Sequence, residues 1–122
     1  MDDNDLTDEE YERRAFRVVQ LSSLPITDID LVDWPGAEVD WKTAAAVAVQ
    51  VLNVGIDPID RDAIERAVNQ RQIRKRDREW IIDLFRDPIA IYAESWRWSN
   101  GRHRVEAMRR AGASECVVQV LT

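Results

Sequence analysis

Apolar residues recur at helical spacing through most of the chain, and at strand-like spacing only towards its end. Tyr11, Ala15, Val18 and Val19 share one helical stripe, and Thr7 followed by Glu10 has the form of a capping box, which predicts a helix from about Asp8 to Gln20. Phe16 to Leu21 also suits a strand beginning near Arg17, so the end of that helix stays open. The acidic run from Ile26 to Leu31 is too short to assign. After the turn Trp34-Pro35-Gly36, Asp40 caps a helix that continues to Asn53 and stops before Gly55. From Ala44 to Leu52 this helix is apolar nearly all round, the pattern of a segment buried in the domain or against a partner. Asp57 as cap and Pro58 as first residue open a third helix, with Ile59, Ala63, Ile64, Ala67 and Val68 as its stripe, ending near Gln70.

A fourth helix carries Ile73, Trp80, Ile81, Leu84 and Phe85 on one face and breaks at Asp87-Pro88. Ile89 to Tyr92 reads as a strand, Glu94-Ser95 as a turn, and Trp96 to Trp98 as the returning strand, with both indoles on one face. Asn100-Gly101 then turns the chain into a helix from Arg102 to Ala111, and Cys116 to Val120 is the last strand. The order predicts an α+β fold, a small mixed sheet flanked by helices, built as one domain over residues 1–122. Residues 1–6 are expected to be disordered.

The helix after Gly101 contains one residue that breaks its own pattern. Val105, Ala107, Met108 and Ala111 form the apolar face, Arg102, Glu106, Arg109 and Arg110 the polar one, and Arg104 falls on the apolar side. A buried guanidinium needs a partner, because an unpaired dry charge costs several kcal/mol. That partner is either an acid from elsewhere in the fold, such as Asp28, Asp30 or Asp87, or an anion held at the helix start, where free N–H groups and the dipole already favour negative charge. Glu106 stands four residues before Arg110, the favourable spacing for a surface ion pair.

Charge divides the chain. Its formal −6 is the sum of −10 over residues 1–60, with four basic and fourteen acidic side chains, and +4 over residues 61–122, with thirteen and nine. Net acidity argues against broad duplex binding but allows a local anion site in the basic half. Arg71, Arg74, Lys75, Arg76 and Arg78 form a dense cluster, either a solvated face partly neutralised by Asp77 and Glu79 or a phosphate-contacting one. Cys116 is the single cysteine and His103 the single histidine, which leaves neither an intrachain disulfide nor a cysteine or histidine metal cluster. No apolar run approaches membrane-spanning length and the acidic start suits no leader sequence, so a cytoplasmic location is expected. Five tryptophans exceed what so small a core demands, which adds base stacking or partner binding to plain packing as possible uses.

The stretch from Ser99 to Gly112, followed by Cys-Val-Val-Gln-Val, resembles the Gly-x-x-Arg-x-x-Ala segment of the ParB/sulfiredoxin-like domain superfamily, with Gly101, Arg104 and Ala107 at the three signature positions. The resemblance extends from about Asn69 to Leu121, giving a ParB/sulfiredoxin-like core in residues 69–121, preceded by a mostly helical, acidic N-terminal part that matches only loosely. In the resembled fold an opening strand would be either Arg17–Leu21 or Leu24–Ile29. The resemblance implies a nucleotide- or phosphate-binding site at the helix start, with Asn100, Gly101, Arg102, His103 and Arg104 around the ligand and Arg71 or Arg74 as second contacts across the cleft. A nucleoside triphosphate with magnesium is the ligand it suggests. Arg102 stands where the sulfiredoxin branch carries its reactive cysteine, and the chain lacks the partitioning branch's second phosphate motif and DNA-binding domain, so neither of those activities is expected. Catalysis is left open: phosphate hydrolysis or transfer, or nuclease chemistry, would rest on analogy alone. Two other readings stand beside nucleotide binding. One is a non-enzymatic interaction module, of phage or mobile-element type, that docks a protein partner through its Trp-rich or acidic surface; the other is a small nuclease-like nucleic-acid binder using the Arg71–Arg78 cluster.

Overall fold

The computed structural model describes residues 6–122, so most of the segment expected to be disordered lies outside the described residues, and Leu6 itself carries no regular structure. The elements are α1 (Asp8–Ala15), β1 (Phe16–Gln20), a 3₁₀ turn at Leu21–Ser23, α2 (Trp41–Asn53), α3 (Arg61–Asn69), α4 (Lys75–Arg86), β2 (Ala90–Tyr92), β3 (Trp98–Asn100), α5 (Arg102–Arg110) and β4 (Glu115–Leu121). They make an α+β fold with one mixed sheet in the order β1-β4-β2-β3. β4 is central, parallel to β2 and antiparallel to β1, and β3 pairs antiparallel with β2 at the far edge.

The first helix is shorter than its stripe predicts. Thr7 forms the expected capping box with Glu10, but Phe16 is already extended and pairs with Gln119, so Val18 and Val19 serve the strand. Pairing with the central strand outweighs the helical preference of the segment, because it fills the open edge of β4 and buries Phe16. The sheet therefore takes an edge strand from the acidic N-terminal part, and of the two candidate opening strands Arg17–Leu21 is the one that pairs.

Asp40 caps α2 by accepting from the Thr43 N–H, and α2 packs against β4, α4 and α5 at once. That explains its apolar circumference: Trp41, Ala44, Ala45, Val47, Ala48, Val49 and Val51 are all buried. The third helix begins later than expected. The Asp57 carboxylate is taken by Arg13, at 3.0 Å on both of its oxygens, and by the Ile59 N–H, so Asp57-Pro58 forms a turn and Asp60 caps α3 instead. The β2–β3 hairpin also differs. Trp96 adopts φ 54° and its N–H closes a turn onto the Tyr92 carbonyl, which places Trp96 outside the strand and shifts β3 to Trp98–Asn100. Ala111, expected on the apolar face of the last helix, is exposed just beyond its end.

The polar face of α5 is not simply solvated. Arg109 donates to the carbonyls of Leu21, Leu24 and Pro25 at 2.8, 2.8 and 2.9 Å, and Glu106 accepts from the Thr27 hydroxyl at 2.5 Å and from Arg110 at 2.7 Å. Trp96 and Trp98 donate their indole N–H groups to the carbonyls of Ser23 and Ile26. The loop after β1 is thereby laid along the hairpin and the helix that follows it. No helix among the described residues is long and apolar enough to cross a membrane.

Candidate functional site at the start of the fifth helix

Gly101 is the hinge on which the site turns. Its φ of 98° is left-handed, and a Cβ there would stand 2.8 Å from Cγ1 and 3.0 Å from Cα of Ile89, so both conformation and space require glycine. The close approach is to the residue just before β2, and it fixes where α5 begins. The first turn of α5 receives no side-chain cap, because glycine has none to offer. The N–H groups of Arg102, His103 and Arg104 thus form an uncapped positive end of a helix dipole.

Arg104 is buried, as its position on the apolar face requires, with only 7% of its surface exposed. Its partners are backbone oxygens and not the side-chain acids that the sequence offered: Nη1 donates to the Asp87 carbonyl at 2.6 Å and more weakly to the Asp83 carbonyl at 3.5 Å. These carbonyls end α4, so Arg104 caps that helix and neutralises its negative pole. Burial pulls the guanidinium pKa down from its ordinary value, and the charges of Asp87 and Asp83 oppose that pull. Asn100 completes the joint by donating to the Asp87 carboxylate at 2.9 Å and the Pro88 carbonyl at 3.0 Å.

His103 is exposed, and its ring stacks on Trp34 at 5.6 Å between centroids with planes 27° apart. Trp34 in turn stacks on Trp41 and meets Trp80 edge-on, so a four-ring cluster supports the helix start from one side. Arg102 is exposed, and no hydrogen bond or ion pair engages it among the described residues. Two cavities flank this turn. One, of about 360 Å³, is lined by Trp98, Ser99, Asn100, Gly101, Arg102 and His103. The other, of about 220 Å³, shares Asn100, Gly101 and His103 and continues to Arg104, Trp34, Trp80 and the acids Asp83 and Asp87.

Arg71 and Arg74 do not join this group. Arg71 donates to the Ala67 carbonyl at the end of α3, and Arg74 pairs with Asp77 at 3.1 Å at the opposite end of α4 from Asp83. Nine residues of rise separate Arg74 from Asp83 along the helix, on the order of 14 Å. Arg76 is committed in the same region: it reaches Glu38 and Asp77, and buried Asp77 accepts from the Asp40 N–H, tying the starts of α4 and α2 together. Glu79 is spent on Arg86, at 2.7 Å.

Sequence patterning gave no sign of Trp34 and Trp80 beside His103, since the three lie on separate elements. Asp87 was visible as a helix stop, but its carbonyl's role depends on the packing of α5 against the end of α4. A larger cavity, about 630 Å³, lies elsewhere, between α1, the Pro58 turn, α3 and α4. Its floor residues Phe16, Ile64, Ile82 and Phe85 are already buried against the core, its rim cation Arg86 is bound to Glu79 and Asp83, and its second rim cation, Arg61, stands at the start of α3, whose first turn Asp60 already caps, so the α5 start is the better-equipped site. Among the described residues no group of three histidine, cysteine or acidic side chains is arranged to hold a metal ion. No protein-family model matches the chain, and no curated protein or solved structure gives a significant match to it.

Proposed function

We propose that the chain is a ParB/sulfiredoxin-like domain that binds a nucleotide or another phosphorylated ligand at the start of α5. The observation that carries this reading is the uncapped first turn of α5, opening with unengaged Arg102 and exposed His103 onto a polar cavity of about 360 Å³. Three backbone N–H groups, a guanidinium and an imidazole converge there, which is the donor set a phosphate group recruits. The order of β3, glycine, α5 and β4 supports the family assignment, as do Gly101, Arg104 and Ala107 at its signature positions. Arg104 does not line this cavity; it holds the helix start against the end of α4. Arg71 and Arg74 are outside it. The proposal is one of binding; catalysis is no part of it.

The test is thermal stabilisation of the full chain by a panel of nucleoside mono- and triphosphates, with and without magnesium. A ligand that binds only the folded state at a hundred times its Kd adds about 2.7 kcal/mol. Stabilisation by at least one nucleotide, lost in Arg102→Ala while the unliganded melting temperature holds, is the expected result. No shift across the panel overturns it.

A protein-docking module is the second reading. Ile26 and Val32 are 84% and 74% exposed beside the acidic loop, and Trp96 and Tyr92 are exposed on the adjoining hairpin, an apolar set that the fold does not cover.

A further inference from the structure

We infer that the smaller cavity beside the α5 start is a base pocket that selects guanine. The inference rests on the phosphate site proposed above, because the two cavities share Asn100, Gly101 and His103 and a single nucleotide would occupy both. At about 220 Å³ the second cavity falls below the roughly 300–1,000 Å³ of pockets that enclose drug-sized ligands, a size suited to one ring system and not to a whole nucleotide.

Its chemistry is unlike that of its neighbour. Trp34 and Trp80 give it aromatic walls, and His103, resting on Trp34, stands at the boundary between the two cavities. Its polar groups are of both kinds. Arg104 uses only Nη1 on the α4 carbonyls, which leaves Nε and Nη2 without a partner among the described residues. Among the described residues the fully buried polar side-chain atoms lacking a partner are Asp77 Oδ1 and Arg78 Nε, so those two Arg104 nitrogens are not sealed from solvent, and Arg104 lines this cavity. Opposite in charge stands Asp87. Asn100 Nδ2 holds its Oδ1 at 2.9 Å, and Oδ2 has no hydrogen bond among the described residues.

A carboxylate only accepts and a guanidinium only donates. The flat heterocycle that fits both must present adjacent N–H donors to the acid and a carbonyl oxygen to the guanidinium. Guanine does so, with N1–H and the 2-amino group towards Asp87 and O6 towards Arg104. Adenine and cytosine each set a ring-nitrogen acceptor beside their single amino donor, and uracil flanks its N–H with two carbonyls, so each would turn a lone pair on the carboxylate. A pocket rejects a base that leaves its polar groups unpaired, and the larger penalty here falls on buried Arg104, Asp87 being exposed.

The test is isothermal titration of the full chain with GTP, ATP, CTP, UTP and inosine triphosphate, which lacks only the 2-amino group. GTP is expected to bind at least about tenfold tighter than the others, inosine triphosphate included. Asp87→Asn should bring GTP down to the common affinity of the rest. It leaves the Asp87 carbonyl, and with it the Arg104 contact, in place. Should that variant misfold by circular dichroism, the wild-type comparison of GTP with inosine triphosphate decides alone. Equal binding of all five, or preference for another base, overturns the guanine pocket while the phosphate site stands. Binding of none overturns both.

Discussion

Nη1 of Arg104 lies 2.6 Å from the carbonyl oxygen of Asp87, so the start of α5 is clasped to the end of α4 by the arginine that the sequence pattern sets on the wrong face. In Arg104→Ala the clasp is lost: the Asp87 carbonyl loses its charged donor, while the Asp83 carbonyl keeps the Asp87 N–H. A hydrogen bond from a charged group is worth about 1.5–3 kcal/mol, and loss of the packed stem adds to it, so destabilisation of about 2–4 kcal/mol is expected. Urea denaturation without ligand measures it. A variant as stable as wild type would show that the contact contributes nothing.

Gly101 and Gly112 separate conformation from space. Both are left-handed, at φ 98° and 83°, but an added Cβ meets Ile89 at Gly101 and nothing within 4 Å at Gly112. Gly112→Ala should cost only the backbone strain, about 1 kcal/mol. Gly101→Ala adds a collision with the backbone and side chain of Ile89 and should cost about 3 kcal/mol or more. Equal melting temperatures for the two variants would contradict the close approach.

Much of this arrangement could be read from the chain before its structure. The cap at Asp40, the all-apolar α2, the Gly-led α5 and the buried Arg104 follow from local spacing and chemistry, which act within a few residues. What escaped depends on contacts distant in sequence. Ala15 ends its helix because Phe16 finds Gln119, and Asp57 fails to cap α3 because Arg13 takes its carboxylate. The same holds at the site: His103 stacks on Trp34, sixty-nine positions away, and Arg104 binds carbonyls that no side-chain pattern reveals.

Cys116 is buried in the central strand, and burial pushes its thiol up to about 12, with Arg109 pulling weakly the other way. Against the ordinary 9.0, thiolate at neutral pH is about a thousandfold scarcer in the fold, and access is blocked as well. A disulfide reagent should therefore leave native protein unmodified and label one thiol in urea. Because the folded value is raised, the unfolded thiol ionises first, and stability should fall as pH rises from 9.0 towards 12. Rapid labelling of the native chain would contradict the burial.

Glu106 sets the acid side of the stability curve. Its carboxyl is held below the ordinary 4.5 first by the Thr27 hydroxyl, the contact that pins the loop after β1 to α5, and then by Arg110 within the helix. With the folded pKa depressed, the contribution is complete above 4.5 and is lost as pH falls through the lower folded value. Asp40 and Asp57 are depressed too, by Thr43 and by Arg13, and act in the same direction. Glu106→Gln should cost about 1 kcal/mol near neutral pH and flatten the fall in urea midpoint at acid pH, leaving the slope due to the two aspartates. Thr27→Val should flatten it in part, because Arg110 still holds the carboxylate. If Glu106→Gln tracked wild type at every pH, the loop would be held by its carbonyl contacts to Arg109 and the two indoles, and Arg109→Met, which removes three of them, would then be the variant that loosens it, visible as faster amide exchange in residues 21–27.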